Sequence, residues 1–296
     1  MFCFAAHLNS VSLHDYSGAT RDQGPQKKLK GRKTLMSDPM IHTITETDHI
    51  AYRRFSGNSP GIIFLAGHGS DMEGSKALFL EEWAQAHGQA FLRFDYRGHG
   101  QSSGSMDATN ISDWTEDVIT VIDELSEGPQ ILVGSSLGGW LMLNATLLRT
   151  ERVVGLIGIA AAPDFTEDLI WAELTYDQRS HLQTEGRIAL PNPYADEPVV
   201  YPYHLVEDGR RHLRLRGTLD IDKPIRLLHG MQDAEVPWQT ATRIAECASS
   251  NDVRIHLIKD AGHRFSEPRQ LDLLQQVTSG LVADIHASGD QKSRLP

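Results

Sequence analysis

The chain has little cysteine: among 296 residues only Cys3 and Cys247 carry a thiol. Two thiols make neither a disulfide framework nor a metal-ligand cluster, and a reducing compartment is the simplest reading. Long apolar runs are missing as well. The longest, Val153 to Ala162, has ten residues and stops at Pro163. That is well short of the ~18 needed to cross a bilayer, so it reads as a buried strand and no membrane insertion is expected. No apolar h-region marks a secretory signal. No metal-ligand spacing and no glycine-rich phosphate loop occur, so no metal and no cofactor are expected. Internal repeats and low-complexity tracts are absent too.

Positive charge is scarce outside the N-terminus. The chain holds 28 Lys/Arg against 39 Asp/Glu, a net of −11. Residues 1–37 carry six Lys/Arg and two Asp, which leaves −15 on the remainder. An acidic body disfavours nucleic acid and anionic membrane surfaces as partners. It leaves neutral acyl substrates open. Hydrophobic content of 40% and charged content of 23% are those of a soluble globular protein.

Residues 1–37 differ from the rest. They hold the basic cluster Lys27-Lys28-Leu29-Lys30-Gly31-Arg32-Lys33 and no sustained periodicity, and read as disordered. Three origins stay open: a weak transit peptide, a solvated tail, or an upstream start with the true start at Met36 or Met40. Asp15 and Asp22 count against a mitochondrial transit peptide. The expected compartment is the cytoplasm, with the mitochondrial matrix as the alternative.

From about residue 40 the pattern is regular. Short apolar runs alternate with helical segments: strands near 41–47, 50–56, 61–66, 90–95, 130–134, 153–160, 225–229 and 253–259, with helices near 74–87, 111–126, 138–149, 238–248 and 265–285. This predicts an α/β domain over 38–286: a mostly parallel, twisted sheet with helices on both faces. Residues 287–296 read as a flexible tail. The alternation breaks between Asp164 and Asp222, and this insertion reads as a small lid above the C-terminal strand ends, where such sheets bind ligands.

Chemistry enters at Gly134-Ser135-Ser136-Leu137-Gly138. This G-x-S-x-G lies between the apolar run Gln130–Val133 and a helix-like run. A tight strand-to-helix turn pushes Ser136 out at the strand end, and the flanking glycines leave room for the bend. The bland alternative is a plain Gly/Ser turn. The acid candidate is Asp233, just past the strand that ends at His229-Gly230; Glu235 is the substitute, and a helix N-cap is the bland reading. The base candidate is His263 in Ala261-Gly262-His263, after another strand; a surface or capping histidine is its bland reading. All three sit at strand C-termini, on one edge of a parallel sheet. A serine hydroxyl needs a base to take its proton, and that base needs an acid to hold its tautomer.

An oxyanion hole needs two backbone N–H donors. Leu137 supplies one as the residue after the nucleophile. The second belongs to the loop Gly67-His68-Gly69-Ser70; His68 is preferred and Ser70 is the alternative. His99, in Asp95–Ser102, reads as part of a structural brace, His229 as a turn residue and Trp140 as core. His204, His212 and the arginines at 210–216 read as solvated surface.

These residues resemble the α/β-hydrolase superfamily over roughly residues 40–285, including its chain order of Ser, Asp, His. Gly128–Leu143, Phe91–Tyr96, Arg226–Met231 and Val236–Gln239 are similar to one branch, palmitoyl-protein thioesterases also described as acyl-glucuronide esterases, with a mitochondrial member in animals. The loop Gly67–Ser70 differs from that branch. The resemblance implies hydrolysis of S-acyl-cysteine thioesters and carboxylic esters by Ser136, Asp233 and His263, with S-acylated protein as a partner. A general carboxylesterase is the alternative, and a non-catalytic ligand-binding protein on the same fold is a third reading. Dehalogenase and epoxide-hydrolase chemistry is disfavoured, because those need an aspartate where Ser136 stands.

Overall fold

A computed structural model describes residues 38–191 and 196–292. The expectations for residues 1–37 and for 293–296, and residues 192–195 of the insertion, lie outside the described residues.

Eight strands form one sheet. They are β1 (Met40–Thr43), β2 (His49–Phe55), β3 (Asn58–Leu65), β4 (Gln89–Phe94), β5 (Gln130–Ser135), β6 (Val153–Ile159), β9 (Ile225–Gly230) and β10 (Val253–Ile258), ordered β1-β2-β4-β3-β5-β6-β9-β10. β1 and β2 pair antiparallel, and β2 pairs antiparallel with β4. From β4 to β10 every neighbour is parallel. β7 (Arg187–Leu190) and β8 (Val199–Pro202) form a separate antiparallel hairpin.

The central strands are apolar on both faces because helices cover both. β5 is buried along its whole length. Helix α1 (Ser75–Ala86) packs beside α7 (Pro268–Lys292), whereas α2 (Ile111–Thr120) packs beside α3 (Leu137–Leu148). α3 is buried from Leu137 to Thr146, as expected of a helix that is hydrophobic all round. α2 begins with a capping box between Asn110 and Asp113, which satisfies two otherwise orphaned N–H groups. α6 (Gln239–Cys247) lies against β9 and β10.

Two boundaries differ from the sequence reading. The last helix starts at Pro268, not Phe265, because Phe265 is buried with φ 46° and turns the chain. Proline then suits the first helical position. The helix also runs on to Lys292, where a tail from 287 was expected. No proline interrupts this stretch, and the Ser288 hydroxyl donates to the Asp284 carbonyl across one turn at 2.9 Å.

The sheet order creates the ligand-binding position. β4 lies on one side of β3 and β5 on the other. The loops leaving β3 and β5 therefore diverge, and open α/β sheets bind ligands in that crevice. Between β6 and β9 the chain makes its long excursion: a π-turn (Thr166–Ile170), α4 (Tyr176–Glu185), the β7–β8 hairpin and α5 (Tyr203–Gly209).

This excursion is tied to the body through groups expected at the solvated surface. The carboxylate of Asp164, fully buried, accepts from the N–H groups of Arg214 and Leu215 at 2.7 and 2.9 Å. Arg214 reaches Asn144 of α3, and the Trp140 indole donates to the His212 carbonyl at 2.9 Å. Ser112 of α2 bonds both Asp208 at 2.8 Å and His212 at 2.7 Å. Composition alone marks such a basic stretch as solvated; only the fold supplies buried acceptors for it.

Packing is close at the β5–α3 turn. A Cβ on Gly134 would strike the Gly138 carbonyl, and one on Gly138 would strike the Leu65 carbonyl. Both obstacles are backbone. Gly138→Ala is therefore expected to cost about 1–3 kcal/mol or more by overpacking. Gly217→Ala, which meets nothing within 4 Å, is expected to stay within about 0.5 kcal/mol. Urea unfolding of the two variants measures the difference; equal midpoints would contradict the close approach.

Candidate active site

Ser136 occupies the turn between β5 and α3. Its backbone sits at φ 52° and ψ −115°, a conformation rare outside glycine. Such strain costs of the order of 1–3 kcal/mol and persists only when neighbours over-determine it. Here the Ser136 N–H donates to the Ile159 carbonyl at 2.9 Å, and its own carbonyl accepts from Gly139 at 2.9 Å and Ala162 at 3.0 Å. The backbone is thus anchored to β6 and to the start of the excursion, and the hydroxyl is turned out of the sheet.

That hydroxyl meets His263. The distance from His263 Nε2 to Ser136 Oγ is 3.1 Å, and from His263 Nδ1 to Asp233 Oδ2 it is 2.8 Å. Ser136, Asp233 and His263, which the sequence places on three separate loops, form one hydrogen-bonded line. The Asp233 carboxylate is fully buried, and the imidazole is 13% exposed. Burial alone would raise the pKa of Asp233. Hydrogen bonds from His229 and His263, the charge of His263 and the Val236 N–H outweigh burial and hold it well below the usual carboxylate range. Asp233 is therefore an acceptor only, Nδ1 of His263 carries the proton, and Nε2 turns a lone pair toward Ser136.

Glu235 is placed differently. Its Oε2 lies 3.9 Å from His263 Nε2. It approaches the nitrogen that faces serine, whereas Asp233 holds the opposite one. Of the two candidate acids, only Asp233 is in position to fix the tautomer.

In the loop after β3 two backbone N–H groups already have acceptors. Ser70 N–H donates to the Gly67 carbonyl at 3.0 Å. Gly69 N–H is used by His99 Nε2 at 3.1 Å. Among the described residues, no acceptor takes the backbone N–H of His68 or that of Leu137, the first residue of α3. Both loops leave the strands that flank the crevice.

The His68 ring is enclosed by aromatics. It stacks on Tyr201 of β8 at 5.7 Å between centroids and 25° between planes, and meets Trp114 and Phe165 at 5.7 and 6.1 Å. Burial, with a smaller contribution from nearby His99, lowers its pKa to about 4. The excursion therefore reaches this loop directly, through Tyr201.

Two residues gain importance over their sequence reading. His99 does more than brace a loop, since its Nε2 fixes the Gly69 peptide. His229, read as a turn residue, lies 3.2 Å from Asp233 Oδ2 through its Nε2. The four-residue spacing from His229 to Asp233 was the available signal, but loop geometry decides whether such a pair meets. Among the described residues no group of three or more His, Cys, Asp or Glu side chains is disposed to hold a metal ion, and no helix is long and apolar enough to cross a membrane.

A strand-ordered sheet with a serine at a strained strand–helix turn and an acid and a histidine on later strand ends defines a hydrolase fold. Residues 62–272 match the alpha/beta hydrolase family, and the chain belongs to that family. It is a hydrolase. The resemblance read from Gly128–Leu143 is borne out by its relatives. The chain is 41% identical over 235 residues to the human "Palmitoyl-protein thioesterase ABHD10, mitochondrial", covering 79% of this chain and 76% of that protein. The bovine protein of the same name is 40% identical over the same coverage. Among solved structures, "Alpha/beta hydrolase domain-containing protein 10 from mouse" has a TM-score of 0.79 and 38% identity, covering 84% of this chain and 100% of that one. A putative hydrolase from Agrobacterium vitis S4 has a TM-score of 0.78 and 34% identity, with 82% and 96% covered.

The buried imidazole of His68 gives a stability test. Its pKa of about 4 in the folded state lies below the ~6.5 of an unfolded histidine. Between these values the unfolded chain binds more protons, so stability falls as pH drops through 6.5, and the full loss is reached below 4. The size is at most about 3 kcal/mol. His68→Phe keeps a packed ring and removes the titration. Its unfolding free energy, measured in urea between pH 6.5 and 4, is expected to fall less steeply than that of the wild type. Equal slopes would contradict a buried neutral imidazole.

Proposed function

We propose that this chain is a serine hydrolase that cleaves acyl thioesters of the S-palmitoyl-cysteine type, and carboxylic esters, through an acyl-enzyme. The observation that carries the reading is the hydrogen-bonded line from Ser136 through His263 to Asp233. The substrate class is supported by the likeness to proteins named palmitoyl-protein thioesterase.

In this reading His263 Nε2 takes the Ser136 proton as Oγ attacks the acyl carbon. Asp233 holds the imidazole and stabilises the imidazolium as it forms. The developing oxyanion is received by the N–H groups of Leu137 and His68; each such donor contributes on the order of 10²–10³ in rate. The imidazolium then protonates the departing sulfur or oxygen. A water, deprotonated by the same nitrogen, attacks the acyl-Ser136 ester and releases the acid. Residues 164–222 act as a lid, with Tyr201 as its contact to the loop after β3. The acidic body suits a neutral acyl group better than nucleic acid.

The compartment is a separate part of the proposal. The named relatives are mitochondrial, whereas the sequence reading favours the cytoplasm. Imaging a C-terminally tagged full chain decides between the two.

The central test has two arms. A fluorophosphonate probe is expected to label the wild type and not Ser136→Ala; equal labelling would remove Ser136 as nucleophile. Panels of S-acyl peptides, acyl-CoA and p-nitrophenyl esters then vary leaving group and chain length. Turnover of esters alone would reduce the reading to a general carboxylesterase. Asp233→Asn is expected to lower kcat on the order of 10³–10⁴-fold, as loss of the correct tautomer does in such triads.

A further inference from the structure

We propose that His229 is a positioning residue of this site: it shares the Asp233 carboxylate with His263 and so sets the proton affinity of the base. The inference rests on the reading of Ser136, His263 and Asp233 given above. His229 is the penultimate residue of β9 and is 1% exposed. Its Nε2 lies 3.0 Å from the Val236 carbonyl oxygen and 3.2 Å from Asp233 Oδ2. Both neighbours are acceptors, so Nε2 must carry the hydrogen. Asp233 Oδ2 therefore faces two imidazole N–H groups: that of His263 Nδ1 at 2.8 Å, and that of His229 Nε2, which it shares with the Val236 carbonyl. Asp233 Oδ1 receives the backbone N–H groups of Glu235 and Val236, each at 2.9 Å.

Three full donors and the shared His229 N–H surround one buried carboxylate. Two consequences follow. The carboxylate plane cannot turn, which keeps Oδ2 aligned with Nδ1 of His263. The charge on Oδ2 is also divided between two rings. It stabilises the His263 imidazolium less than an undivided oxygen would, because each extra donor to an anion weakens its pull on the others.

Other charged or titratable groups near His263 do not depend on His229. Glu235 faces Nε2, and the phenol of Tyr201 on β8 lies in the field of Glu235. Arg264 follows in sequence, and its carbonyl accepts from the Lys76 ammonium of α1 at 2.6 Å. These groups stay in place in every variant of His229, so a difference between variants reports His229 itself.

The experiment is kcat and KM against pH with a p-nitrophenyl ester, for wild type, His229→Leu and His229→Gln. Leucine removes the donor. Glutamine puts an amide N–H near the position of Nε2. His229→Leu is expected to lower kcat about 10–100-fold, the worth of one hydrogen bond to a charged group. Its KM is expected to stay within about twofold, since the contact is not to substrate. The acid limb of its kcat/KM profile is expected to move up by about one pH unit, and His229→Gln is expected to restore both. A uniform loss with the limb unmoved, or no rescue by glutamine, overturns the proposal and leaves His229 a packing residue. If the leucine variant does not fold, His229→Asn replaces it: its amide sits at the Nδ1 position, out of reach of Asp233, and the same limb shift is required. Failure of the triad reading looks different, because Ser136→Ala would then keep turnover and labelling.

Discussion

Everything in this site depends on how closely α3 approaches the end of β5 and β3. Gly134 and Gly138 have no side chains because carbonyls of Gly138 and Leu65 occupy that space. With the helix that close, the residue between strand and helix has no room for ordinary backbone angles. Ser136 takes φ 52°, and three backbone hydrogen bonds to Ile159, Gly139 and Ala162 offset the strain. One geometric demand therefore exposes the hydroxyl and leaves the Leu137 N–H at the unpaired start of a helix, where partial positive charge collects.

The second constraint is electrostatic. A buried carboxylate is costly unless its lone pairs are met. Asp233 is met by His229, His263, Glu235 and Val236. This saturation keeps it ionised, and an ionised acceptor settles which nitrogen of His263 holds the proton. The chemistry proposed for Ser136 rests on the hydration that Asp233 has lost and the donors that replace it. His68 shows the converse case: burial among Tyr201, Trp114 and Phe165 keeps its ring neutral. The contribution proposed for it is a main-chain N–H, while its side chain connects the loop to the excursion through Tyr201.

Much of this was legible in the chain. Apolar runs of strand length alternating with helical ones indicated a parallel sheet, because only strands covered on both faces are apolar throughout. G-x-S-x-G between such a run and a helix marked Ser136, because that turn tolerates few sequences. Asp233 and His263 followed as loop residues just past strands. The excursion was the hard part. His212 and Arg214 lie in a basic stretch that composition marks as solvent-facing, yet they meet Ser112 and Asn144. His229 carried no motif of its own. Its role depends on how the chain bends between Gly230 and Val236, and no local pattern encodes that bend.

By itself the sequence determined the class of fold, the nucleophile candidate and the strand ends that carry the other two groups, since local propensity and periodicity set these within a few residues of each site. The tertiary structure alone decided which contacts close. It put Asp233 rather than Glu235 at Nδ1 of His263, paired the Ser70 N–H with the Gly67 carbonyl, and brought the His229 imidazole beside Asp233. Those choices turn on distances of a few ångströms between residues far apart in the chain, and only the packing of β5, α3, β9 and the excursion fixes such distances.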